Sequence, residues 1–257
     1  MRIGILGGTG PAGSALAARL ASVGYDVVIG SRSKYRAMEA RDAQIEKWPT
    51  LLERLSCGDN AAASSCDIVV IATPWDSAAT TAQENEELLA GKVVVCMANA
   101  LVRVGKEFQP LVPPRGSVAA HVQAAVPRCR VVAAFHHLPA TELGHIGEPI
   151  DSDVLICGDD ADAIATMSEV VSKIPGCRPL DAGELSNAMA IEAFTAVMLQ
   201  LNIRYKTRVA PKLTGIKGDP RVAKESAKAA ADAAKQAAAG TSKVAAASSS
   251  EAVASPA

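Results

Sequence analysis

The chain has 257 residues, which is enough for one or two domains with a sizeable apolar core. Its formal net charge of −1 and aromatic content of 3% give no support for binding to nucleic acid, to an anionic membrane surface or to stacked bases. No apolar run approaches the roughly 18 residues that a transmembrane helix needs, so a membrane anchor is not expected.

The six cysteines are scattered through the chain and form no Cys-x-x-Cys pair. Several lie in or beside apolar runs, where free cysteine behaves as a small hydrophobic residue. This usage is typical of a reducing compartment and indicates no metal cluster. The first residues indicate a strand rather than a secretion signal, so we expect a cytoplasmic protein.

The first 32 residues predict a strand, a helix and a second strand. Residues 2–6 form a short apolar run that is typical of a buried strand. Residues 14–23 are rich in Ala and Leu and predict a helix, which ends before Gly24. Another apolar run at residues 26–30 predicts the next strand, so the segment has the length and order of a βαβ unit.

The turn between the first strand and the helix carries the pattern Gly8-x-Gly10-x-x-Gly13. We expect Gly8 to permit the tight turn, Gly10 to let a pyrophosphate approach the backbone, and Gly13 to let the helix pack closely on the sheet. Pro11 and Ala12 lie where the helix opens, and the free N–H groups of its first turn would face the phosphate. The context of strand, turn and helix predicts a dinucleotide site here.

The second strand ends in Gly30-Ser31-Arg32, with Arg36 close behind. Folds that bind NAD usually carry Asp or Glu at this position to accept from the ribose 2′-hydroxyl. A carboxylate would repel a 2′-phosphate, whereas the Ser31 hydroxyl and the Arg32 guanidinium would bind one. The sequence therefore predicts NADP rather than NAD.

Strands and helices alternate through the rest of the chain. The predicted strands cover residues 67–72, 93–96, 130–135, 153–158 and 177–180. The predicted helices cover residues 35–47, 58–63, 76–90, 117–125, 160–174 and 188–205. Residues 51–55 are ambiguous, and residues 97–116 are expected to form a loop. Apolar strands that alternate with helices predict an α/β fold with a Rossmann-type doubly wound parallel sheet.

We divide the chain into three parts. We expect a dinucleotide-binding Rossmann domain over residues 1–147 and a small C-terminal α/β domain over residues 148–218. Residues 219–257 are dominated by Ala, Ser and Lys and contain almost no large apolar side chains. Such a segment cannot bury enough surface to offset its ordering entropy, so we expect a disordered tail.

Ligands of open α/β sheets bind beyond the carboxyl ends of the strands, which here are residues 73–75, 98–101 and 136–140. Adjacent His136 and His137 would point to opposite faces of an extended strand, so no metal site is predicted. No Lys or Tyr stands in a recognisable acid/base motif. Hydride transfer between two planar cofactors needs stacking and exclusion of water but no protein acid or base, so no catalytic side chain is predicted.

The order and spacing of these motifs resemble the coenzyme F420-dependent NADP oxidoreductase family over about residues 1–217. The matching blocks are residues 7–13, 30–32, 74–75, 136–140, 157–160, 178–183 and 185–187. The resemblance implies a homo-oligomeric cytoplasmic enzyme that passes a hydride between the nicotinamide of NADP(H) and the deazaflavin of coenzyme F420. It also implies that the C-terminal helical part closes the cofactor cleft and supplies a subunit contact.

The resemblance assigns roles by matching position. It places Thr9, Ser31, Arg32 and Arg36 at the 2′-phosphate end of NADP. Pro74 and Trp75, which follow Thr73 at the same strand end, line the nicotinamide side. The wall against which the deazaflavin stacks is formed by His136, Leu138, Pro139 and Ala140. At His137 the chain departs from the family, where Thr is expected.

Two alternatives stay open at this point. The first is an NADPH-dependent reductase of a flavin or of a small carbonyl or imine substrate on the same scaffold, which requires a Lys, Tyr or Glu that faces the nicotinamide. The second is a non-catalytic module that senses NADP and acts through a partner.

Overall fold

The computed structural model describes residues 1–216, and an eight-stranded sheet organises them. The strands of this part of the chain are β1 (Arg2–Leu6), β2 (Asp26–Ser31), β3 (Leu55–Asp59), β4 (Ile68–Ile71), β5 (Val93–Cys96), β6 (Leu101–Val104), β7 (Glu107–Pro110), β8 (Arg130–Ala133), β9 (Ser152–Gly158) and β10 (Cys177–Asp181). The large sheet has the strand order β10-β9-β8-β5-β4-β1-β2-β3, while β6 and β7 pair with each other.

Helices cover both faces of the large sheet. The helices of the described residues are α1 (Pro11–Ser22), α2 (Lys34–Lys47), α3 (Asn60–Ser64), α4 (Trp75–Gln83), α5 (Glu86–Leu89), α6 (Val118–Ala125), α7 (Ala140–Leu143), α8 (Ala161–Ser172) and α9 (Ala188–Tyr205). The bounds of α9 are those that the sequence predicts. Within residues 1–216, no helix combines the length and the apolar character that a membrane crossing requires.

Neighbouring strands of the large sheet are parallel with one exception, because β8 and β9 run antiparallel. The predicted Rossmann-type fold is therefore confirmed, with a sheet that is mostly rather than wholly parallel. The segment between β8 and β9 contains only the four-residue helix α7, which packs against α1. Without a crossover helix on the sheet, the chain returns beside β8 in the opposite direction.

The apolar core lies on both faces of the sheet. Side chains alternate along each strand, so Ile5 and Val95 pack on the face that carries α1 and α8, whereas Ile71 and Val94 pack on the face that carries α4 and α6. Burial of each such side chain stabilises the fold by about 1.5–3 kcal/mol. These two layers fix the positions of the strand ends that form the candidate site.

Three segments differ from the sequence predictions. Residues 51–55, which the sequence left ambiguous, include the first residue of the edge strand β3. Only Leu55 of β3 is buried, so this strand lacks the apolar pattern that would have predicted it. The expected loop contains the hairpin of β6 and β7, which is largely exposed and turns at Gly105 with a φ of 61°. The single helix predicted over residues 76–90 is two helices, α4 and α5, separated at Asn85.

Met1–Leu213 forms one compact unit, in which β9 and β10 extend the sheet that begins with β1. The division into domains at residue 147 stays a prediction. The Ala/Ser/Lys-rich tail over residues 219–257 lies outside the described residues.

Candidate functional site

The carboxyl ends of β1, β2, β4, β5 and β8 lie along one edge of the sheet because these strands are parallel neighbours. This edge brings together the glycine-rich turn, the Ser31–Arg36 region and the segments that follow β4, β5 and β8. Every cofactor-contacting residue that the sequence predicts belongs to one of these segments. We call this region the carboxyl edge.

Three glycines of the glycine-rich turn, Gly7, Gly8 and Gly13, stand where a side chain would be strained or would clash. The left-handed residue is Gly7, with a φ of 73°, a position to which the sequence analysis gave no role. A Cβ atom at Gly8 would lie 2.9 Å from the Ile5 carbonyl oxygen, and one at Gly13 would lie 3.0 Å from the Gly8 Cα. Both glycines therefore allow close backbone packing.

Gly10 differs from its neighbours because the space in front of it is open. A Cβ atom there would have only the Gly7 carbonyl oxygen nearby, at 3.6 Å. Gly10 is also the residue that precedes α1, and Pro11 is its first helical residue. The first N–H groups of a helix lack intrahelical acceptors, so those of Ala12 and Gly13 are available to an anion over this open space. The turn is a cradle that fits a pyrophosphate.

Ser31 and its neighbours shape the end of β2. The Ser31 hydroxyl accepts a hydrogen bond from the Ser33 N–H at 3.3 Å, and Ser33 caps α2 by accepting from the Arg36 N–H. Arg32 and Arg36 are exposed at the start of α2. The sequence did not predict that β3 adds Asp59 directly beside Ser31.

The end of β4 contacts the glycine-rich turn. A Cβ atom at Gly7 would lie 2.7 Å from the Thr73 side chain, so the two strand ends are in tight contact. The Thr73 hydroxyl oxygen is buried and has no hydrogen-bond partner within the described residues. Pro74 precedes α4, and half-buried Trp75 begins it, where a cavity of about 60 Å³ lies between Trp75, Pro113 and His121.

Asn99, in the segment after β5, joins the ends of β5 and β8. Its side-chain N–H donates to the His136 carbonyl oxygen at 2.6 Å, which fixes the orientation of the amide. The Asn99 Oδ1 atom is buried and lacks a partner within the described residues. Buried polar atoms are nearly always hydrogen-bonded, and the oxygens of Thr73 and Asn99, at adjacent strand ends, are available to a polar ligand.

The two adjacent histidines lie in a turn and not on an extended strand, so the prediction that they point to opposite faces was wrong. Phe135 has a left-handed φ of 65°, and the ring centroids of His136 and His137 are 5.1 Å apart with the rings nearly perpendicular. The His137 Nε2 atom lies 3.0 Å from the Asp153 carbonyl oxygen and 3.2 Å from the Leu155 nitrogen.

Burial keeps both imidazole rings neutral. It lowers the pKa of His136 to about 3, with a further contribution from His137, and it lowers the pKa of His137 to about 4. Leu138 is also buried, whereas Pro139 and Ala140 are half-exposed. Among the described residues, no group of three or more His, Cys, Asp or Glu side chains could hold a metal ion.

Glu192 is a buried carboxyl group that the sequence reasoning missed. It lies on α9, and its oxygens accept from the backbone N–H groups of Val118 at 2.9 Å and Ala119 at 3.2 Å. Burial raises the pKa of Glu192 to about 7, although the two hydrogen bonds oppose this shift. Both oxygens are engaged at the start of α6, so Glu192 attaches α9 to α6.

This fold, with its glycine cradle at the carboxyl edge, is that of a Rossmann-type dinucleotide-binding protein. Residues 2–100 match the family described as NADP oxidoreductase, coenzyme F420-dependent. The F420-dependent NADP reductase of Methanocaldococcus jannaschii is 36% identical over 222 residues, which cover 84% of this chain and 97% of that protein. The chain belongs to the family of F420-dependent NADP oxidoreductases.

One further relative supports this assignment, and one solved structure supports the fold. The F420-dependent NADP reductase of Methanothermobacter marburgensis is 33% identical over 217 residues, which cover 81% of this chain and 95% of that protein. A crystal structure from Arthrobacter sp. FB24, described as a candidate F420-dependent NADP reductase, superposes with a TM-score of 0.69 at 24% identity. It covers 83% of this chain and 99% of its own and supports the fold.

Proposed function

We propose that this chain transfers a hydride between NADP(H) and coenzyme F420 at the carboxyl edge. The observation that carries this proposal is the 36% identity to an F420-dependent NADP reductase that the chain matches over 97% of its length. The open cradle at Gly10 and the unpartnered oxygens of Thr73 and Asn99 are features that a dinucleotide would fill. The residues of the carboxyl edge therefore fit NADP.

The adenosine half of NADP is held by the first two strand ends. The backbone at Gly8, Gly10, Pro11, Ala12 and Gly13 cradles the pyrophosphate, because the open space at Gly10 meets the first N–H groups of α1. The 2′-phosphate is bound by Thr9, Ser31, Arg32 and Arg36. The two guanidinium groups are exposed and permanently charged, which suits a dianionic phosphate.

The nicotinamide half lies toward the ends of β4 and β5. Thr73 and Asn99 each offer a buried oxygen to the carboxamide group of the nicotinamide. Pro74 and Trp75 exclude water from the nicotinamide ring. The deazaflavin wall consists of half-exposed Pro139 and Ala140, with buried His136 and Leu138 behind them.

When both cofactors are bound, NADP(H) and F420 supply the hydride donor and acceptor themselves. The chain contributes position, stacking surfaces and exclusion of water. Hydride transfer between two cofactors needs no protein acid or base, so no proton transfer is assigned to the neutral histidines or to Glu192, whose oxygens accept hydrogen bonds from α6.

Anaerobic mixing of the purified protein with NADPH and F420, monitored through the deazaflavin absorbance, tests this proposal. FMN and FAD are the parallel acceptors. We expect rapid bleaching of F420 and little reaction with the flavins. Bleaching of the flavins alone would move the chain to the flavin-reductase alternative. Tight NADPH binding without reduction of any acceptor would favour a small-substrate reductase or a sensor.

A second copy of the chain is the proposed partner of α9. Phe194, Val197, Leu201 and Tyr205 follow a helical spacing along one side of α9. The first two are about half exposed, at 48% and 50%, and Tyr205 is 73% exposed. Covering such an apolar stripe favours association. Sedimentation analysis should show an oligomer that Val197→Asp weakens, and a concentration-independent monomer for the unchanged chain would contradict this proposal.

The six cysteines are all free, which supports a reducing, cytoplasmic location. The near-neutral net charge supports small-molecule cofactors rather than nucleic acid as the partners of the chain.

A further inference from the structure

The strand that the sequence did not predict, β3, places a carboxylate beside the proposed 2′-phosphate site. Ser31 on β2 is the register partner of Asp59 on β3, and neighbouring strands lie only about 4.8 Å apart. The Asp59 side chain is fixed from two directions. One oxygen caps α3 by accepting from the Ala62 N–H at 2.9 Å, and the other lies 3.2 Å from the Lys34 ammonium nitrogen.

This carboxylate is charged under all ordinary conditions. The hydrogen bond from the Ala62 N–H and the contact with Lys34 both lower the pKa of Asp59. A carboxylate at this part of a Rossmann fold favours a ribose 2′-hydroxyl and repels a 2′-phosphate. In most NAD sites it belongs to the second strand, whereas here it comes from the strand beside it.

The cations around Asp59 have different partners. Lys34 contacts the Asp59 carboxylate, and its side chain is 77% exposed. Within residues 1–216, no acidic side chain lies within ion-pair distance of Arg32 or Arg36. The two arginines are therefore available to a phosphate, while the Lys34 charge is opposed by the negative charge of Asp59.

We propose that Lys34 is a specificity-determining residue for NADP that acts by neutralising Asp59. When Lys34 is present, the 2′-phosphate meets Arg32 and Arg36 without net repulsion from β3. When Lys34 is absent, Asp59 repels the 2′-phosphate and leaves NADH unaffected. This inference rests on the proposed function, because it assumes that the 2′-phosphate binds at the end of β2.

A double-mutant cycle on Lys34 and Asp59 tests the inference, with dissociation constants for NADPH and NADH measured by nicotinamide fluorescence. The variants are Lys34→Ala, Asp59→Asn and the double variant. Asparagine caps helices as well as aspartate does, so Asp59→Asn keeps α3 capped and removes only the charge.

We expect Lys34→Ala to weaken NADPH binding about 5-fold, which is the order of effect of one uncompensated charge near a protein surface. NADH binding should change by less than about 2-fold in every variant, because NADH has no 2′-phosphate. The double variant should bind NADPH within about 2-fold of the unchanged chain. The Lys34→Ala effect should also shrink at high salt, since the repulsion is screened.

The opposite outcome is a double variant that binds NADPH as weakly as Lys34→Ala does. Lys34 would then contact the phosphate directly, and the inference would be overturned. An unaffected Lys34→Ala variant would also overturn it. Arg32→Ala separates this failure from that of the proposed function. If Arg32→Ala weakens NADPH binding and the double variant binds NADPH as weakly as Lys34→Ala does, only the inference fails. If Arg32→Ala has no effect, the 2′-phosphate site itself is misplaced.

Discussion

The two ends of the carboxyl edge are held in place by different forces. Around β1 and β2, backbone geometry sets the shape of the site, as in the left-handed Gly7 and the hydrogen bond from the Gly8 N–H to the Gly30 carbonyl at 3.1 Å. Around β8 and β9, side chains from distant parts of the sequence hold the chain. Asn99 binds the His136 carbonyl, and His137 lies against Leu155.

Arg19 is the largest of these long-range attachments. Its side chain is fully buried, and the guanidinium donates to five carbonyl oxygens at the end of α7 and in the segment that follows it. These carbonyls belong to Glu142, Leu143, His145, Ile146 and Glu148, at distances of 2.7–3.4 Å. We call the region around β1 and β2 the dinucleotide half of the site and the region around β8 and β9 the deazaflavin half. Local backbone geometry shapes the dinucleotide half, whereas the deazaflavin half depends on contacts between residues that are distant in the sequence.

The largest expected effect comes from breaking the Arg19 attachment. Arg19→Ala leaves five carbonyl groups without their shared donor and opens a cavity beside α1. We expect the free energy of unfolding to fall by about 3–5 kcal/mol. Urea denaturation measures it, with Arg54→Ala as the control because Arg54 forms an exposed ion pair. A loss for Arg19→Ala no greater than that for Arg54→Ala would contradict this account of the deazaflavin half.

The next effect concerns the buried carboxyl of Glu192. Its pKa is raised to about 7 in the folded chain, above the usual value of 4.5, so ionisation costs more in the folded state than in the unfolded state. This contribution to stability is present below about pH 4.5 and is lost as the pH rises to about 7. The loss is on the order of 3 kcal/mol.

Glu192→Gln removes this titration. We therefore expect the stability of the Gln variant relative to the unchanged chain to increase as the pH rises from about 4.5 to 7. Urea denaturation at a series of pH values measures the difference. A difference that stays constant over this range would show that Glu192 does not titrate there.

The third effect concerns Arg32 in the dinucleotide half, where binding and stability are expected to respond differently. Arg32→Ala removes an exposed guanidinium and should leave stability unchanged within about 0.5 kcal/mol. It should weaken NADPH binding by about 1.5–3 kcal/mol, because a charge-assisted contact with the phosphate is lost. NADH binding is the internal control, since it lacks the 2′-phosphate. Equal losses of affinity for NADPH and NADH would contradict the assignment of Arg32 to the 2′-phosphate.

The smallest effect concerns Gly10 and separates the pyrophosphate cradle from the 2′-phosphate site. Gly10 has a φ of −74°, which alanine adopts readily, and a Cβ there would meet no atom closer than 3.6 Å. Gly10→Ala should therefore leave the fold intact while its methyl group obstructs a pyrophosphate. We expect both NADPH and NADH to bind about tenfold more weakly, or about 1.4 kcal/mol. Unchanged binding of both would place the pyrophosphate elsewhere.

The sequence predicted the parts of the fold that have local signals. The fingerprint glycines, the apolar strands and the bounds of α9 follow from short patterns. Edge strand β3 was missed because only Leu55 is buried, and Asp59 was missed with it. The histidine turn was placed on an extended strand because a left-handed Phe135 has no sequence signal.

The remaining features depend on partners that are distant in the chain. Asn99 meets His136 across 37 residues, and Glu192 meets Val118 across 74. Arg19 binds carbonyl groups more than 120 residues away. No local pattern marks these pairs, because their side chains meet only after the sheet has assembled. The same property explains why the deazaflavin half was the less predictable part of the site.

Direct transfer of a labelled hydride tests the central claim most directly. NADPH that carries deuterium at the transferable nicotinamide position is mixed anaerobically with F420 and the protein, and the reduced deazaflavin is analysed by mass spectrometry. The account predicts one deuterium on the reduced F420, because the hydride passes between two carbon atoms without exposure to water. Reduced F420 without deuterium, or no reduction of F420, would contradict hydride transfer at the carboxyl edge.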